Sequence, residues 1–154
     1  MKILVIEDNP AEARLTREAF AESGVPHVIR VVGDGMEATA CLNREGIYRD
    51  EAMPDLILLD LNLPRKDGRE VLREIKSNPD LSSIPVIVVT NSHAQEDVDQ
   101  VYRLRANCYL VKPPGIDEFF AMVRRVIEFW WQTARLPNGN RDRHFVNLLQ
   151  GPAQ

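Results

Sequence analysis

Short apolar runs alternate with longer amphipathic segments five times along this 154-residue chain. The apolar runs occupy residues 3–6, 28–32, 56–59, 86–89 and 108–111. Four of these runs lack polar residues at alternate positions, which is typical of strands that are covered on both faces. The amphipathic segments have helical spacing and occupy residues 9–24, 35–43, 67–77, 95–104 and 116–134.

This alternation predicts an α/β fold with a doubly wound, five-stranded parallel sheet and helices on both faces. We expect the flavodoxin-like (βα)5 strand order 2-1-3-4-5, in which the first and third strands are neighbours. The length suits one domain, which we expect to span residues 1–135. A polar tail at 136–154, carrying no output domain, is expected to follow it. The apolar cluster at 145–149 predicts a short helix or a docking segment within this tail.

Polar residues stand where the predicted strands end. Glu7 and Asp8 follow the first run, Asp60 ends the third, Thr90 ends the fourth and Lys112 ends the fifth. Ligands of open parallel sheets bind beyond the carboxyl ends of the strands. We therefore expect these five side chains to converge on one rim of the sheet.

The predicted rim holds three carboxylates and one ammonium, so that the acids repel one another and raise each other's pKa. A hard divalent cation with oxygen ligands, such as Mg²⁺, would relieve this repulsion. The metal would leave Asp60 ionised and able to attack a phosphoryl group, whose oxygens Thr90 and Lys112 could bind. Each residue taken alone also has a structural explanation: Asp8, for example, could cap the helix that opens at Pro10.

The composition excludes several classes of function. A net charge of −4 offers no overall basic surface for nucleic acid, and no run of about 18 apolar residues predicts a membrane span. The apolar stretch before Glu7 is too short for a signal peptide. Cys41 and Cys108 lack CxxC spacing and are expected to be reduced thiols of a cytoplasmic protein. A disulfide between them is the less favoured alternative.

Four stretches together resemble the CheY-like receiver domains of bacterial response regulators. They are ILVIEDNP with its acidic pair, PDLILLDLNLPRKDG with its aspartate, IPVIVVTNS with its threonine and NCYLVKPP with its lysine. The resemblance covers roughly residues 1–132, and the motifs are specific as a set rather than singly.

The resemblance implies a role for each matching residue. Asp60 would be the phosphorylation site, and Thr90 the switch hydroxyl that moves toward the phosphoryl group. Glu7, Asp8 and the backbone carbonyl of Asn62 would hold the Mg²⁺ beside Asp60. Such domains take phosphate from a histidine kinase and hydrolyse it themselves, so that the chain is expected not to be an enzyme toward other substrates.

The resemblance also implies roles for residues in and after the fifth strand, and the sequence departs from the family pattern at four positions. Tyr109 would be the aromatic switch residue, and the Lys112–Pro113 bond would be a cis peptide that aims the lysine. Asn91 follows the switch threonine where many receivers carry a small residue, and Pro114 and Gly115 replace a common aromatic. Arg105 stands where many receivers have a glycine after the fourth helix, although glycine takes a positive φ most easily.

The fifth predicted helix carries more apolar surface than one core needs. One stripe at helical spacing is expected to pack on the sheet: Ile116, Phe119, Phe120, Val123, Ile127, Trp130 and Ala134. A second stripe comprises Met122, Val126 and Phe129, with Trp131 beside it. We expect this second stripe to form a protein interface, with a homodimer as the favoured assembly, because large exposed apolar patches usually mark contacts. The alternative is that the tail folds back over it.

The stretches LDLNLPRKDGREVL and IEFWWQTARLP resemble the small single-domain regulators that are paired with bacterial phytochrome histidine kinases. This resemblance implies a red/far-red light sensor as the phosphodonor. It also implies a homodimer that forms through the fourth helix, fifth strand and fifth helix. Two other functions stay open: a constitutive adaptor that is not phosphorylated, and a phosphatase with an aspartate nucleophile. The complete set of rim residues argues against the adaptor. Asn62 argues against the phosphatase, because such enzymes usually carry a second acid at that position.

Overall fold

The computed structural model describes residues 1–137 of the chain. Its strands are β1 (Lys2–Ile6), β2 (Val28–Val32), β3 (Leu56–Leu59), β4 (Val86–Thr90) and β5 (Cys108–Val111). Its α-helices are α1 (Pro10–Glu22), α2 (Gly35–Leu42), α3 (Gly68–Ser77), α4 (Gln95–Arg103) and α5 (Ile116–Glu128). A short 3₁₀ helix, Gly46–Tyr48, lies between α2 and β3. These bounds agree with the predicted segments to within two residues everywhere except at the end of α5.

The five strands form one parallel sheet in the order β2-β1-β3-β4-β5, which confirms the predicted flavodoxin-like topology. Ile6 of β1 pairs with Leu59 of β3, and Thr90 of β4 pairs with Val111 of β5. Because the strands are parallel and in register here, the residues that follow them emerge at a common rim.

The sheet is covered on both faces, as the apolar runs predict. α1 and α5 pack on one face, where Phe20 and Val123 share an apolar core with the odd-numbered side chains of β1, such as Ile3. α2, α3 and α4 cover the other face, where Val71 and Val101 join the main apolar core. Cys41 lies in the core that α2, α3 and α4 cover, whereas Cys108 packs against the core on the opposite face of the sheet. Both cysteines are free thiols.

The edge strands are less buried than the central ones. All four residues of β3 are buried, whereas all four residues of β5 are half-buried and Val28 of β2 is 64% exposed. An apolar run does not reveal whether its strand lies at an edge. The prediction of two covered faces therefore holds for β1, β3 and β4 but not for β5.

Asn9 caps α1, because its Oδ1 accepts hydrogen bonds from the backbone N–H groups of Ala11 at 3.0 Å and Glu12 at 3.4 Å. The structural explanation for Asp8, that it caps this helix, is therefore wrong.

Arg105, after α4, has a φ of +71°. An arginine therefore adopts the left-handed conformation at the position where many receivers have glycine.

The end of the fifth helix differs from the prediction. α5 is α-helical only to Glu128, and the next five residues form a π-helical turn, Phe129–Thr133. The backbone N–H of Ala134 donates to the carbonyl of Phe129 at 2.7 Å, which is the i to i+5 pairing of this turn. A stripe counted at a constant 100° per residue is therefore wrong beyond Glu128, because the π-turn changes the rotation per residue.

The apolar stripes of α5 are only partly as predicted. Phe119, Val123 and Ile127 are buried on the sheet, but Ile116 is 66% exposed. In the second stripe Met122, Val126 and Trp131 are half-buried against the core, and Phe129 is 51% exposed. The exposed apolar surface is therefore smaller than the sequence predicts.

Two further predictions concern a membrane span and the tail. No helix within residues 1–137 is long and apolar enough to cross a membrane. The apolar cluster of the tail, at 145–149, lies outside the described residues.

Candidate functional site

The rim is assembled by backbone hydrogen bonds that continue the sheet past the ends of its strands. The N–H of Glu7 donates to the carbonyl of Val32, and the N–H of Asp60 donates to the carbonyl of Ile6, both at 3.0 Å. These bonds fix the first residue after β1 beside the first residue after β3. The adjacency of the two acids therefore follows directly from strand register.

Three acids cluster at this rim. Glu7, Asp8 and Asp60 each bring one carboxylate oxygen within 4.8 Å of the others. Glu7 and Asp60 are buried, whereas Asp8 is exposed. Burial raises the pKa of Glu7 to about 7, against the opposing effect of a hydrogen bond from Lys112. A hard divalent cation takes oxygen ligands, so three carboxylates with oxygens this close together are suited to bind one.

Lys112 supplies the positive charge of the site. Its backbone N–H donates to the carbonyl of Thr90 at 2.8 Å, which places the side chain one residue beyond β5. Its Nζ lies 2.8 Å from Oε2 of Glu7 and 2.9 Å from Oδ2 of Asp60, and it also contacts Glu12. Burial acts to lower the pKa of this ammonium, but the three carboxylates outweigh that effect and raise the pKa above its ordinary value.

The peptide bond that follows Lys112 is trans, so the cis bond expected between Lys112 and Pro113 is wrong. Trans is the favoured isomer even before proline. Lys112 reaches the carboxylates with the bond in this form.

The loop after Asp60 returns closely on the site. The N–H of Asn62 points to Oδ1 of Asp60 at 3.4 Å, and the Asn62 side chain is exposed. Gly68 begins α3 so close to this segment that a Cβ there would lie 2.2 Å from the carbonyl oxygen of Asp60. Glycine is therefore required at the start of α3 for the candidate nucleophile to keep its position.

Thr90 and Tyr109 are connected through one residue of the β4–α4 loop. Thr90 is fully buried, and its Oγ1 accepts from the backbone N–H of Ser92 at 3.4 Å. The hydroxyl of Tyr109 donates to the backbone carbonyl of the same Ser92 at 3.0 Å. The two predicted switch residues are thus both bonded to the backbone of Ser92.

An ion-pair network holds the same loop to α3. The Ser92 hydroxyl donates to Oδ2 of Asp97 at 2.5 Å, and Arg69 of α3 donates to Oδ1 of Asp97 at 2.7 Å. Arg69 also binds Asp67 at 3.1 Å and Gln100 at 3.1 Å, so that all three of its nitrogens are used. The hydrogen bond from Ser92, followed by Arg69, lowers the pKa of Asp97.

The structure thus unites most of the predicted rim. It brings Glu7, Asp8, Asp60 and Lys112 together, and places Thr90 on the adjacent strand. Sequence reasoning missed Glu12, because an acid in the first turn of a helix is ordinarily explained by the helix dipole. It also missed the Arg69 network, for which the sequence contains no signal without knowledge of how α3 and α4 pack.

Comparison with known proteins extends this description. The family model for the response regulator receiver domain matches residues 3–124. Response regulator Rcp1 of Synechocystis sp. is 48% identical over 135 residues, which are 88% of this chain and 92% of that protein. The predicted resemblance to receiver domains is therefore confirmed.

Two solved structures are similar over nearly the same length. Phosphorylated RcpA, a cyanobacterial phytochrome response regulator, is 52% identical with a TM-score of 0.87, covering 89% of this chain and 98% of its own. The Mn²⁺-bound form of Rcp1 is 47% identical with a TM-score of 0.86, covering 89% of this chain and 99% of its own. The predicted likeness to phytochrome response regulators is confirmed by the first.

Proposed function

Because this chain belongs to the response regulator receiver domain family, we propose that Asp60 accepts a phosphoryl group from the phosphohistidine of a histidine kinase. The phosphorylated chain then signals through protein contacts. The observation that carries this proposal is the contact of Lys112 Nζ with Oδ2 of Asp60 at 2.9 Å, at the edge of an acidic cluster.

The residues divide the reaction among them. A carboxylate oxygen of Asp60 attacks phosphorus, the P–N bond breaks, and the electron pair leaves with the imidazole nitrogen of the kinase histidine. Lys112 donates a hydrogen bond to one phosphoryl oxygen as a point charge, and the Thr90 hydroxyl donates a hydrogen bond to another. Later attack of water on the acyl phosphate returns Asp60 and inorganic phosphate.

Receiver domains bind a divalent metal, and Glu7, Asp8 and Asp60 form an acidic group that fits one. We propose that this metal is Mg²⁺, with the backbone carbonyl of Asn62 as a further ligand. When bound, it neutralises charge on the carboxylates and on the transferred phosphoryl oxygens. The existence of an Mn²⁺-bound form of Rcp1, which is 47% identical to this chain, supports the binding of a divalent ion.

The kinase partner is proposed to be a bacterial phytochrome, acting in the cytoplasm. This proposal is supported by 52% identity to RcpA, which is described as a phytochrome response regulator. The chain would then be the phospho-acceptor of a red/far-red light sensor, and it would catalyse only its own phosphorylation and dephosphorylation.

We further propose that the chain forms a homodimer through α4, β5 and α5, with no direct contact to nucleic acid. The support is local: β5 is a half-buried edge strand, Tyr102 of α4 is 48% exposed and Phe129 is 51% exposed. Edge strands and clustered apolar groups favour association. Sedimentation with and without beryllofluoride and Mg²⁺ tests whether phosphorylation makes or breaks this dimer.

Intact-mass measurement tests the phosphorylation itself. With Mg²⁺ and a small phosphodonor, the wild type is expected to gain one phosphoryl group that Asp60→Asn does not gain. Asp80→Asn is the control, because Asp80 is an exposed acid outside the acidic cluster, and this variant should behave as wild type. Failure of the wild type to gain mass from several donors and from a phytochrome kinase would leave the constitutive adaptor as the better function. Steady turnover of phosphate esters would instead favour the phosphatase.

A further inference from the structure

The ammonium of Lys112 has three carboxylate partners of two kinds. Glu7 and Asp60, at 2.8 and 2.9 Å, also belong to the acidic cluster with Asp8. Glu12 contacts the ammonium too, but it is not part of that cluster among the described residues. Glu12 is therefore a partner of the lysine without being a candidate ligand of the metal.

The position of Glu12 in its helix does not explain where its side chain goes. It is the third residue of α1, its N–H donates to Oδ1 of Asn9, and its carbonyl accepts from the Thr16 hydroxyl at 3.0 Å. The helix dipole stabilises an acid there whether or not its side chain is hydrated. Yet only 23% of the side chain is exposed, and the carboxylate binds an ammonium 100 residues later in the chain.

The three partners differ in what they can do when the site is occupied. An ammonium has three protons and no lone pair, and all three protons are engaged by carboxylates here. A phosphoryl group on Asp60 brings new oxygens that need the same protons. Asp60 is then part of an acyl phosphate and no longer a free carboxylate, and Glu7 has the metal as an alternative partner. Glu12 has neither alternative, so that it remains as the competitor for Lys112.

We propose that Glu12 is a positioning residue that restrains the Lys112 ammonium in the unphosphorylated protein, so that a phosphoryl group on Asp60 must displace the Glu12 carboxylate. This inference rests on the proposed function of Asp60. Because Glu12 belongs to the first turn of α1, its displacement also releases an acid at the surface of that helix. Occupancy of the site would thus leave the carboxylate of Glu12 without its ammonium partner at the surface of α1.

The test uses beryllofluoride, a phosphoryl mimic, bound to the full chain at saturating Mg²⁺ and measured by titration calorimetry. Glu12→Gln is expected to bind it about fivefold more tightly, the scale of a partly exposed ion pair. Its affinity for Mg²⁺ alone should change by less than about twofold, because the residue lies outside the metal cluster. A residue with only a structural role would not separate these two affinities.

Two further variants separate the contact from its charge. Glu18→Gln removes the same charge from the same helix, but this acid is 46% exposed and pairs with Arg14, so wild-type affinities are expected. Glu12→Asp keeps the charge and the helix position but shortens the reach by one methylene. It is expected to bind beryllofluoride more tightly than wild type, as Glu12→Gln does.

Three results would contradict these proposals, and they can be distinguished from one another. Unchanged or weaker beryllofluoride binding by Glu12→Gln, with normal binding by the wild type, would overturn the role of Glu12 and leave the proposed function in place. Equal tightening in Glu18→Gln, or wild-type affinity in Glu12→Asp, would assign the effect to net charge and overturn it as well. Absence of binding in the wild type would instead remove the proposed function, and this inference with it.

Discussion

Nζ of Lys112 lies 2.9 Å from Oδ2 of Asp60, although 52 residues separate them in the chain. Both residues are buried, and the same ammonium also faces Glu7 at 2.8 Å. One positive charge therefore holds together a group of acids that would otherwise repel one another. The free energy of the fold and the reactivity of the site depend on the same ammonium.

We predict that Lys112→Met destabilises the protein in a way that Mg²⁺ partly reverses. The substitution leaves Glu7 and Asp60 buried without their cation, which costs about 3 kcal/mol of unfolding free energy. Mg²⁺ should restore part of this loss, because it binds the folded acids more tightly, and so stabilises the variant more than wild type, when no ammonium competes for Glu7 and Asp60. Urea unfolding with and without Mg²⁺ measures both effects.

Lys66→Met is the matched control, since Lys66 pairs with Glu74 and Thr39 rather than with the acidic cluster. Its stability relative to wild type should fall by no more than about 1 kcal/mol, and this difference should be the same with and without Mg²⁺, because both proteins keep the acidic cluster. A Lys112→Met protein as stable as wild type, or a difference from wild type that Mg²⁺ does not reduce, would contradict the prediction.

We predict that Gly68→Ala damages the site through the backbone. A Cβ at this position would lie 2.2 Å from the Asp60 carbonyl oxygen and 2.7 Å from Cα of Leu61. Overpacking of this kind costs about 1–3 kcal/mol, and it should also slow phosphorylation by displacing Asp60. Gly33→Ala is the control, because its nearest atom would lie 3.9 Å away. Equal unfolding midpoints and phosphorylation rates in the two variants would show that the loop yields without cost.

Much of the fold follows from patterns that a single strand or helix contains. Apolar runs predict the strands, and the rule for parallel sheets predicts that Asp60 and Lys112 meet at one rim. The same rule predicts the place of the acidic pair, because Glu7 and Asp8 stand directly after β1. The sequence does not distinguish Asp8 from Asn9 as the cap of α1, and in the structure Asn9 caps this helix.

The remaining features depend on packing between elements. Arg69 and Asp97 belong to different helices, and nothing in either helix marks the other as its partner. Glu12 is similar, because its contact depends on where a residue from the opposite end of the chain arrives. The π-turn after Glu128 is a third case, because the sequence of residues 129–133 is compatible with either α- or π-helical hydrogen bonding.

We predict that Arg105→Gly stabilises the protein. Arg105 has a φ of +71°, which costs a residue with a Cβ about 1 kcal/mol, while its N–H bond to Tyr102 would be kept. Arg103→Gly, two residues earlier in the last turn of α4, is the opposite control and should lose about 1 kcal/mol. Thermal or urea unfolding would measure both, and a loss of stability in Arg105→Gly would show that its side chain contributes more than the backbone strain costs.

We predict a pH-dependent effect for Asp97→Asn. The Ser92 hydroxyl and Arg69 lower the pKa of Asp97 below its ordinary value of 3.8 in the folded state. The carboxylate therefore stabilises the fold above that value, and this contribution is lost as the pH falls through the lower folded pKa. The variant should be about 0.5 kcal/mol less stable than wild type at neutral pH, the scale of a solvent-screened pair.

Urea unfolding at successive pH values, down to about pH 3, should show this difference shrink with acid. Asp99→Asn, on the same helix and bonded to Gln95, controls for the loss of one charge. A difference that stays constant with pH would exclude an electrostatic origin for the contribution of Asp97.

The π-helical turn Phe129–Thr133 has a consequence for building chimeras. A helix grafted after Thr133 would inherit a rotational phase set by this turn, not the phase of an unbroken α-helix continued from α5. Residue counting along α5 would therefore misalign any appended helix by a fraction of a turn. Fusions that join this chain to a helical effector should accordingly be designed in sets that step the junction one residue at a time.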